Sequence, residues 1–217
     1  MDETPRLAAE LHRLAPSCGP VRLIAVDGHA GSGKSTFAAH LATALGPAAD
    51  ENAAAAPVLH LDDLATHEEL FSWTERLLEA VIGPFSRGEC AHYAPYDWIR
   101  RRFCTSQPLP AAPVVIVEGV GAGRRALRPY LARLLWMERG PERSWERGRQ
   151  RDGSGLSAFW DEWTVAETRH FAGDPSRPFA DALIHERREG YEWLPGPVTS
   201  ARSHHVVTLG DESHRVR

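Results

Sequence analysis

Short apolar runs alternate along the chain with segments in which apolar residues recur every three or four positions. The runs predict five strands, at residues 21–27, 58–61, 114–117, 134–137 and 182–185. The periodic segments predict helices at residues 5–14, 34–45 and about 70–82, the last ending at Gly83-Pro84. Apolar strands that alternate with helices are typical of a parallel sheet covered on both faces. The sequence therefore predicts an α/β fold with a mainly parallel five-stranded sheet and helices on both faces.

Composition limits the kinds of partner that the chain could have. Of 217 residues, 42% are hydrophobic, which suits one domain with one sizeable core. The net charge of −4 gives no strong positive field, so we expect no nucleic-acid partner. No apolar run approaches the roughly 18 residues that cross a bilayer, so we expect no membrane partner. Three cysteines without metal-ligand spacing, and an acidic start, indicate a cytoplasmic protein, and a homo-oligomer is left open.

A glycine-rich motif follows the first predicted strand. Residues 28–35, Gly28-His29-Ala30-Gly31-Ser32-Gly33-Lys34-Ser35, fit G-x-x-x-x-G-K-[ST] and lead into a predicted helix. We call them the phosphate loop. The glycines let backbone N–H groups converge on one point, and the helix that follows adds its positive end. We expect the phosphates of a nucleotide to lie against Gly28, Gly31, Ser32, Gly33, Lys34, Ser35 and Thr36.

Lys34 is the only lysine in the chain, because every other basic residue is arginine. It is expected to reach the β- and γ-phosphates, and the Ser35 hydroxyl to bind Mg²⁺. A dinucleotide-binding motif is excluded, since Thr36 stands where a further glycine is needed. A GTPase of the usual type is excluded as well, since no lysine remains for Asn-Lys-x-Asp. The pattern favours a small kinase.

Further motifs follow in a fixed order: Val26-Asp27-Gly28, Leu61-Asp62-Asp63, Pro95-Tyr96-Asp97-Trp98, Val117-Glu118-Gly119 and Arg151-Asp152. With this order and spacing, the chain from about residue 21 to 185 resembles the uridine kinase-like family of nucleoside and small-molecule kinases. The resemblance implies that Asp62 accepts the proton of the attacking hydroxyl. It also places the acceptor near Tyr93, Tyr96, Asp97 and Trp98, and suggests Glu69 beside it.

Several of these side chains have a structural alternative. Asp62 and Asp63 could cap the next helix, and Asp63 is the better candidate for a cap or for a bond to a magnesium-bound water. Glu118 ends an apolar strand, where it could hold a magnesium-bound water or be buried against a core arginine. Arg143, Arg147 and Arg151 share one helical face. They could be a solvated face or a lid over the transferring phosphoryl, with Arg147 and Arg151 the catalytic candidates.

Three arginines, Arg100 to Arg102, stand where the family has a histidine. Solvated side chains are one explanation, and the other is that a guanidinium such as that of Arg101 binds an acceptor with a negative charge. The helical stripe of Trp160, Trp163, Glu167 and Phe171 is interpreted as core packing rather than a stacking platform.

We expect one kinase domain over residues 1–217, with an acceptor-binding insert at about 64–112, an arginine-rich lid at about 143–158 and a polar tail at about 187–217. The expected function is ATP- and Mg²⁺-dependent phosphorylation of a small hydroxyl-bearing acceptor, such as uridine or cytidine. A nucleoside monophosphate or acidic-metabolite kinase is the first alternative. A nucleotide-binding regulator without catalysis is the second.

Overall fold

The computed structural model describes residues 2–46 and 55–198. Its strands are β1 Arg22–Asp27, β2 Val58–His60, β3 Ala91–Tyr93, β4 Tyr96–Asp97, β5 Arg102–Phe103, β6 Gln107–Leu109, β7 Val114–Glu118, β8 Arg133–Met137, β9 Ala182–Arg187 and β10 Gly190–Pro195. Its α-helices are α1 Thr4–His12, α2 Lys34–Ala44, α3 Thr74–Leu77, α4 Gly83–Ser86, α5 Pro141–Asp152 and α6 Ser157–Gly173.

The main sheet has six strands in the order β10-β9-β8-β1-β7-β2. Five of them run parallel, and β10 pairs antiparallel with β9. Alternate residues of β1 enter two different cores: Leu23 packs under the insert, and Ile24 packs under α1 and α2. Because both faces are covered, the central strands are apolar throughout. The predicted α/β class with helices on both faces is confirmed.

The strand count was wrong by one, because β10 lies within the segment predicted to be a polar tail. It forms a hairpin with β9 and turns its aromatic side chains towards the core beneath α1 and α2. Tyr191 meets the ring of Phe37 edge-on at 4.8 Å. The alternation of Tyr191 and Trp193 with polar Glu192 is a strand signal that the nearby prolines obscured. A last strand suggested by residues 206–209 and most of a loop at 48–57 lie outside the described residues.

The helix of the insert differs from its prediction at both ends. It begins at Thr74, so Leu70 precedes it, and it continues past Gly83-Pro84 to Ser86. A π-helical turn at Leu78–Ile82 joins α3 to α4. Pro84 has no N–H to donate, and it lies in the first turn after this widened segment, where that N–H is not needed. Two small hairpins, β3-β6 and β4-β5, complete the insert.

None of the described helices is long and apolar enough to cross a membrane.

Candidate active site

The phosphate loop joins β1 to α2 at the carboxyl edge of the parallel sheet. Gly31 and Gly33 have φ angles of +81° and +100°, in the left-handed region that favours glycine. Lys34 lies at the start of α2, and its Nζ donates to the carbonyl oxygen of His29 at 2.9 Å. The ammonium group is thereby folded over the loop, where phosphates would lie.

A cavity of about 260 Å³, which we call the phosphate cavity, opens above this loop. Most of the nucleotide-binding residues predicted from sequence meet there, together with both catalytic candidates of the lid. Its walls are Gly31, Gly33, Lys34, Ser35, Thr36, Arg147, Gly148 and Arg151.

Asp27, the last residue of β1, anchors the phosphate loop through its side chain. Its carboxylate is fully buried and accepts three backbone hydrogen bonds, from the N–H groups of Gly28, Gly121 and Gly123 at 2.7–2.9 Å. Asp27 therefore holds the phosphate loop against the turn that follows β7.

Glu118 and Ser35, the two residues predicted to hold magnesium, lie in contact. The Ser35 hydroxyl donates to Glu118 Oε1 at 3.0 Å, and His60 Nδ1 lies 2.6 Å from the same oxygen. This hydrogen bond to Glu118 raises the pKa of His60. The other oxygen, Oε2, is buried and has no hydrogen-bond partner within the described part of the chain. A carboxylate oxygen without a partner beside a serine hydroxyl fits Mg²⁺, which binds few protein oxygens and keeps several waters. The alternative partner, a core arginine, is not what Glu118 contacts.

Asp62 lies just after β2 and faces a second cavity of about 380 Å³, which we call the acceptor cavity. Its side chain is exposed at this cavity. Desolvation by neighbouring groups, followed by the negative charge of Glu118, raises the pKa of Asp62, and the charge of Lys34 opposes the rise. The neighbouring Asp63 is held by the Tyr93 hydroxyl, which donates to its Oδ2 at 3.3 Å.

The three arginines of the lid helix, Arg143, Arg147 and Arg151, line different cavities. Arg151 lines both the phosphate cavity and the acceptor cavity, and it pairs with Asp152 at 2.6 Å. Arg147 lines only the phosphate cavity and donates to Glu186 of β9 at 2.7 Å. Arg143 lies apart from both. Arg151 is thus placed where a group passing from one cavity to the other would meet it.

A third cavity of about 350 Å³ lies between the carboxyl ends of β8 and β9. Ser32 of the phosphate loop and Arg143 of the lid helix are on its wall, and Glu138 and His185 lie at the strand ends. No local sequence motif marks this cavity, so the sequence did not predict it.

The lid helix α5 rests directly on the phosphate loop. A Cβ atom added at Gly31 would lie 2.0 Å from the carbonyl oxygen of Ser144. One added at Gly148 would lie 2.2 Å from the Trp160 ring of α6. Gly31 therefore serves the close approach of a helix as well as the curvature of the loop.

Of the predicted acceptor residues, Trp98 lines the acceptor cavity, and the catalytic candidates Asp62 and Arg151 line it as well. The Trp98 Nε1 donates to the Asp62 carbonyl at 3.1 Å, which ties the insert to the end of β2. Trp160 and Trp163 also line this cavity, so their stripe is both core packing and cavity wall.

The structure does not place Tyr93 and Tyr96 on that wall. Both are buried, and the Tyr96 hydroxyl is 3.1 Å from His67 Nδ1. Neither tyrosine ring therefore lines the acceptor cavity.

The other three predicted acceptor residues make local contacts. Asp97 accepts from the N–H groups of its own turn and from Arg100, and Glu69 accepts from Arg76 at 3.2 Å. Arg101 donates to Glu68 at 3.0 Å on the surface and does not line the acceptor cavity, so its contact with the acceptor stays a prediction. All three arginines of the triplet are exposed, which agrees with the solvated alternative.

Glu167 has a structural role that its place in the predicted core stripe did not indicate. Its carboxylate is fully buried and meets His29 Nδ1 at 2.7 Å, the Ala30 N–H at 3.1 Å, and the indole N–H groups of Trp145 and Trp163 at 3.0 and 2.7 Å. Burial works against ionisation, but these hydrogen bonds outweigh it and lower the pKa of Glu167. One side chain of α6 thus connects the phosphate loop, the lid helix and the acceptor cavity. A lone carboxylate in an aromatic stripe is the signal that could have revealed it.

These features define an α/β fold in which a glycine-rich loop between a strand and a helix adjoins the acceptor cavity of about 380 Å³. The sequence matches no protein-family model and no curated protein. Among solved structures, the chain is similar to a possible uridine kinase from Bacillus stearothermophilus. That likeness has 14% identity and a TM-score of 0.55, and it covers 83% of this chain and 96% of that chain.

It is also similar to a candidate fructose transport system kinase from Silicibacter sp. TM1040. This second likeness has 24% identity and a TM-score of 0.50, and it covers 76% of this chain and 88% of that chain. The chain therefore has the fold of uridine kinase-like structures, which confirms the expected resemblance at the level of the fold.

Proposed function

We propose that the protein is an ATP- and Mg²⁺-dependent kinase that transfers the γ-phosphoryl group to a hydroxyl of a small, nucleoside-like acceptor. One observation carries this proposal: the phosphate cavity and the acceptor cavity meet at Arg151, with Lys34 on one side and Asp62 on the other. A protein that only binds nucleotide has no need of a second cavity with a carboxylate at the junction. The kinase names of the structural neighbours agree with this proposal.

Each side chain has a task that suits its place. Asp62, with its raised pKa, takes the proton of the acceptor hydroxyl. The oxygen then forms the new bond to the γ-phosphorus as the bond to the β–γ bridging oxygen breaks and ADP leaves. Lys34 and Arg151 balance the charge on the transferring group. Ser35 and Glu118 would hold Mg²⁺, which neutralises negative charge on the phosphates when bound.

Acceptor-dependent release of ADP tests the proposal. With uridine or cytidine as acceptor, Asp62→Asn is expected to lower kcat by about two or more powers of ten while ATP affinity is nearly unchanged. Asp161→Asn makes the same chemical change at an exposed residue of α6 that pairs with Arg149, and it should leave kcat unchanged.

The comparison with Asp63→Asn identifies the base. If Asp62→Asn is active and Asp63→Asn is not, the role belongs to Asp63. If ADP release in the wild-type protein never depends on an acceptor, the regulator alternative replaces the kinase.

A further inference from the structure

One peptide group of the phosphate loop, between His29 and Ala30, is held from both sides. Its N–H donates to Glu167 Oε2 at 3.1 Å, and its carbonyl oxygen accepts from Lys34 Nζ at 2.9 Å. The atoms of a trans peptide lie in one plane, so its N–H and its C=O point in opposite directions. A carboxylate that holds the N–H therefore also determines where the carbonyl oxygen points, and with it where the ammonium group of Lys34 lies.

The same carboxylate holds the side chain of the residue that carries this carbonyl. Glu167 Oε1 lies 2.7 Å from His29 Nδ1. The His29 ring also meets two aromatic rings edge-on, with centroid distances of 5.4 Å to Trp136 and 5.1 Å to Phe171. A rotation of the peptide would therefore break contacts of the backbone and of the His29 side chain together.

Glu167 is itself anchored by two helices. It belongs to α6, and it accepts from the indole N–H of Trp163 on the same helix and from that of Trp145 on α5. Its side chain is fully buried, and each of its two oxygens accepts two hydrogen bonds. A side chain held in this way by its neighbours is in place before a ligand arrives, which is what precise positioning requires.

Charge also connects Glu167 with Lys34. Burial raises the pKa of Glu167, the hydrogen bond from His29 lowers it most, and the positive charge of Lys34 lowers it further. Lys34 is only 7% exposed, and within the described part of the chain its ammonium group donates only to the His29 carbonyl oxygen. The direction of that carbonyl therefore decides where the ammonium group lies when the phosphates of a nucleotide arrive.

We propose that Glu167 is a positioning residue for Lys34. It fixes the peptide between His29 and Ala30 so that the carbonyl oxygen holds the ammonium group over the phosphate loop. This role rests on the nucleotide binding that the proposed function requires, and it places a determinant of ATP affinity on α6, outside the loop. A carboxylate that only satisfied buried donors would stabilise the fold, but its effect on ATP affinity would not depend on Lys34.

Binding of an uncleaved nucleotide to the full-length protein tests this role. The probe is the β,γ-imido analogue of ATP with Mg²⁺, measured by calorimetry without acceptor at a temperature where circular dichroism shows each variant to be folded. Glu167→Met keeps the side-chain length but removes both acceptor oxygens, so it should weaken binding about tenfold. Glu167→Gln keeps one oxygen for the Ala30 N–H without the charge, so it should weaken binding only about threefold.

A double-mutant cycle shows whether the effect passes through Lys34. Lys34→Ala removes the ammonium group, so adding Glu167→Met to it should change the affinity by less than about twofold. Leu11→Ala is the control for lost stability, because it opens a cavity at a fully buried position of α1 in the other core cluster. It should lower the Tm and change the affinity by less than about twofold.

The outcomes separate this role from a purely structural one and from the kinase function. The inference fails if Glu167→Met binds the analogue as the wild type does, or if its effect adds to that of Lys34→Ala. It also fails if Leu11→Ala weakens binding as strongly as Glu167→Met. If Glu167→Met does not fold, the same cycle with Glu167→Gln gives the answer.

The kinase function has separate outcomes. If Glu167 and Lys34 are coupled in binding but no acceptor ever receives phosphate, the kinase proposal fails and the role of Glu167 stands. If the wild-type protein does not bind the analogue at all, both proposals fail.

Discussion

Replacing Glu167 by glutamine tests whether one buried carboxylate holds the phosphate loop and the lid together. In the wild-type protein, Oε1 accepts from His29 and Trp145, and Oε2 accepts from Ala30 and Trp163. Glutamine has one acceptor oxygen and an NH₂ group, so two of the four groups would face a donor instead of an acceptor. The imidazole of His29 can change tautomer and accept, but the indole N–H of Trp145 cannot.

The expected loss follows from the strength of these bonds. A hydrogen bond to a charged group contributes roughly 1.5–3 kcal/mol and a neutral one roughly 0.5–1.5 kcal/mol. Losing one bond and the charge from the other three sums to roughly 4.5–7.5 kcal/mol, and relief from burying the charge offsets part of this sum, which leaves a net cost of about 3 kcal/mol. The lowered pKa shows that the folded protein favours the ionised form, so relief from burying the charge does not cancel this cost. For a chain of this length, the corresponding fall in Tm is about 6–12 °C.

Thermal unfolding followed by circular dichroism measures the effect. The matched control is Glu162→Gln, at an exposed position five residues earlier on α6. Because the pKa of Glu167 is lower in the folded state, its contribution is complete above the ordinary value of 4.5. The contribution is lost as the pH falls through the folded value, so the gap in Tm between wild type and Glu167→Gln should narrow below pH 4.5. If the two glutamine variants have Tm values within about 2 °C of each other at neutral pH, the argument is refuted.

Two further predictions concern the phosphate loop. Lys34→Arg should lower turnover at least about 100-fold at a temperature where the variant is folded. The reason is that a planar guanidinium cannot replace the compact ammonium at the His29 carbonyl. Near-normal turnover of this variant would contradict the role of Lys34. Gly31→Ala should lower the free energy of unfolding by roughly 1–3 kcal/mol, since its Cβ overlaps the Ser144 carbonyl. Gly155→Ala, where nothing lies within 4 Å of the added atom, is its control in the same denaturant titration, and equal stabilities would refute the contact.

Local patterns predicted the phosphate loop and the central strands well. The loop depends on glycines, a lysine and a serine within eight consecutive residues, so its geometry is set by neighbours in the chain. The central strands are apolar on both faces, and that pattern is visible in any short window. Asp62 follows β2 and Glu118 ends β7, and the carboxyl ends of these parallel strands meet at one edge of the sheet, so their proximity also followed from the fold class.

Contacts that depend on side-chain direction were harder to predict. Tyr93 and Tyr96 stand beside Trp98 in sequence, but the short strands β3 and β4 turn both tyrosines inward and leave the tryptophan at the cavity. Glu167 acquires its role only when α6 packs across the phosphate loop, 138 residues away in sequence from His29. The hairpin of β10 needs the apolar face beneath α1 and α2 to fix its register, and no window of the tail contains that face.

The most direct test of the account follows the phosphoryl group itself from the phosphate cavity to the acceptor cavity. The wild-type protein is mixed with Mg²⁺, uridine and ATP that carries a radioactive label in its γ-phosphate, and the products are separated by chromatography. The account predicts that the label appears on uridine as a phosphate ester in proportion to ADP formed, and that Lys34→Ala abolishes this product. Label that is released only as inorganic phosphate, or that remains in ATP with every alcohol tested, would contradict the claim that the two cavities form one transfer site.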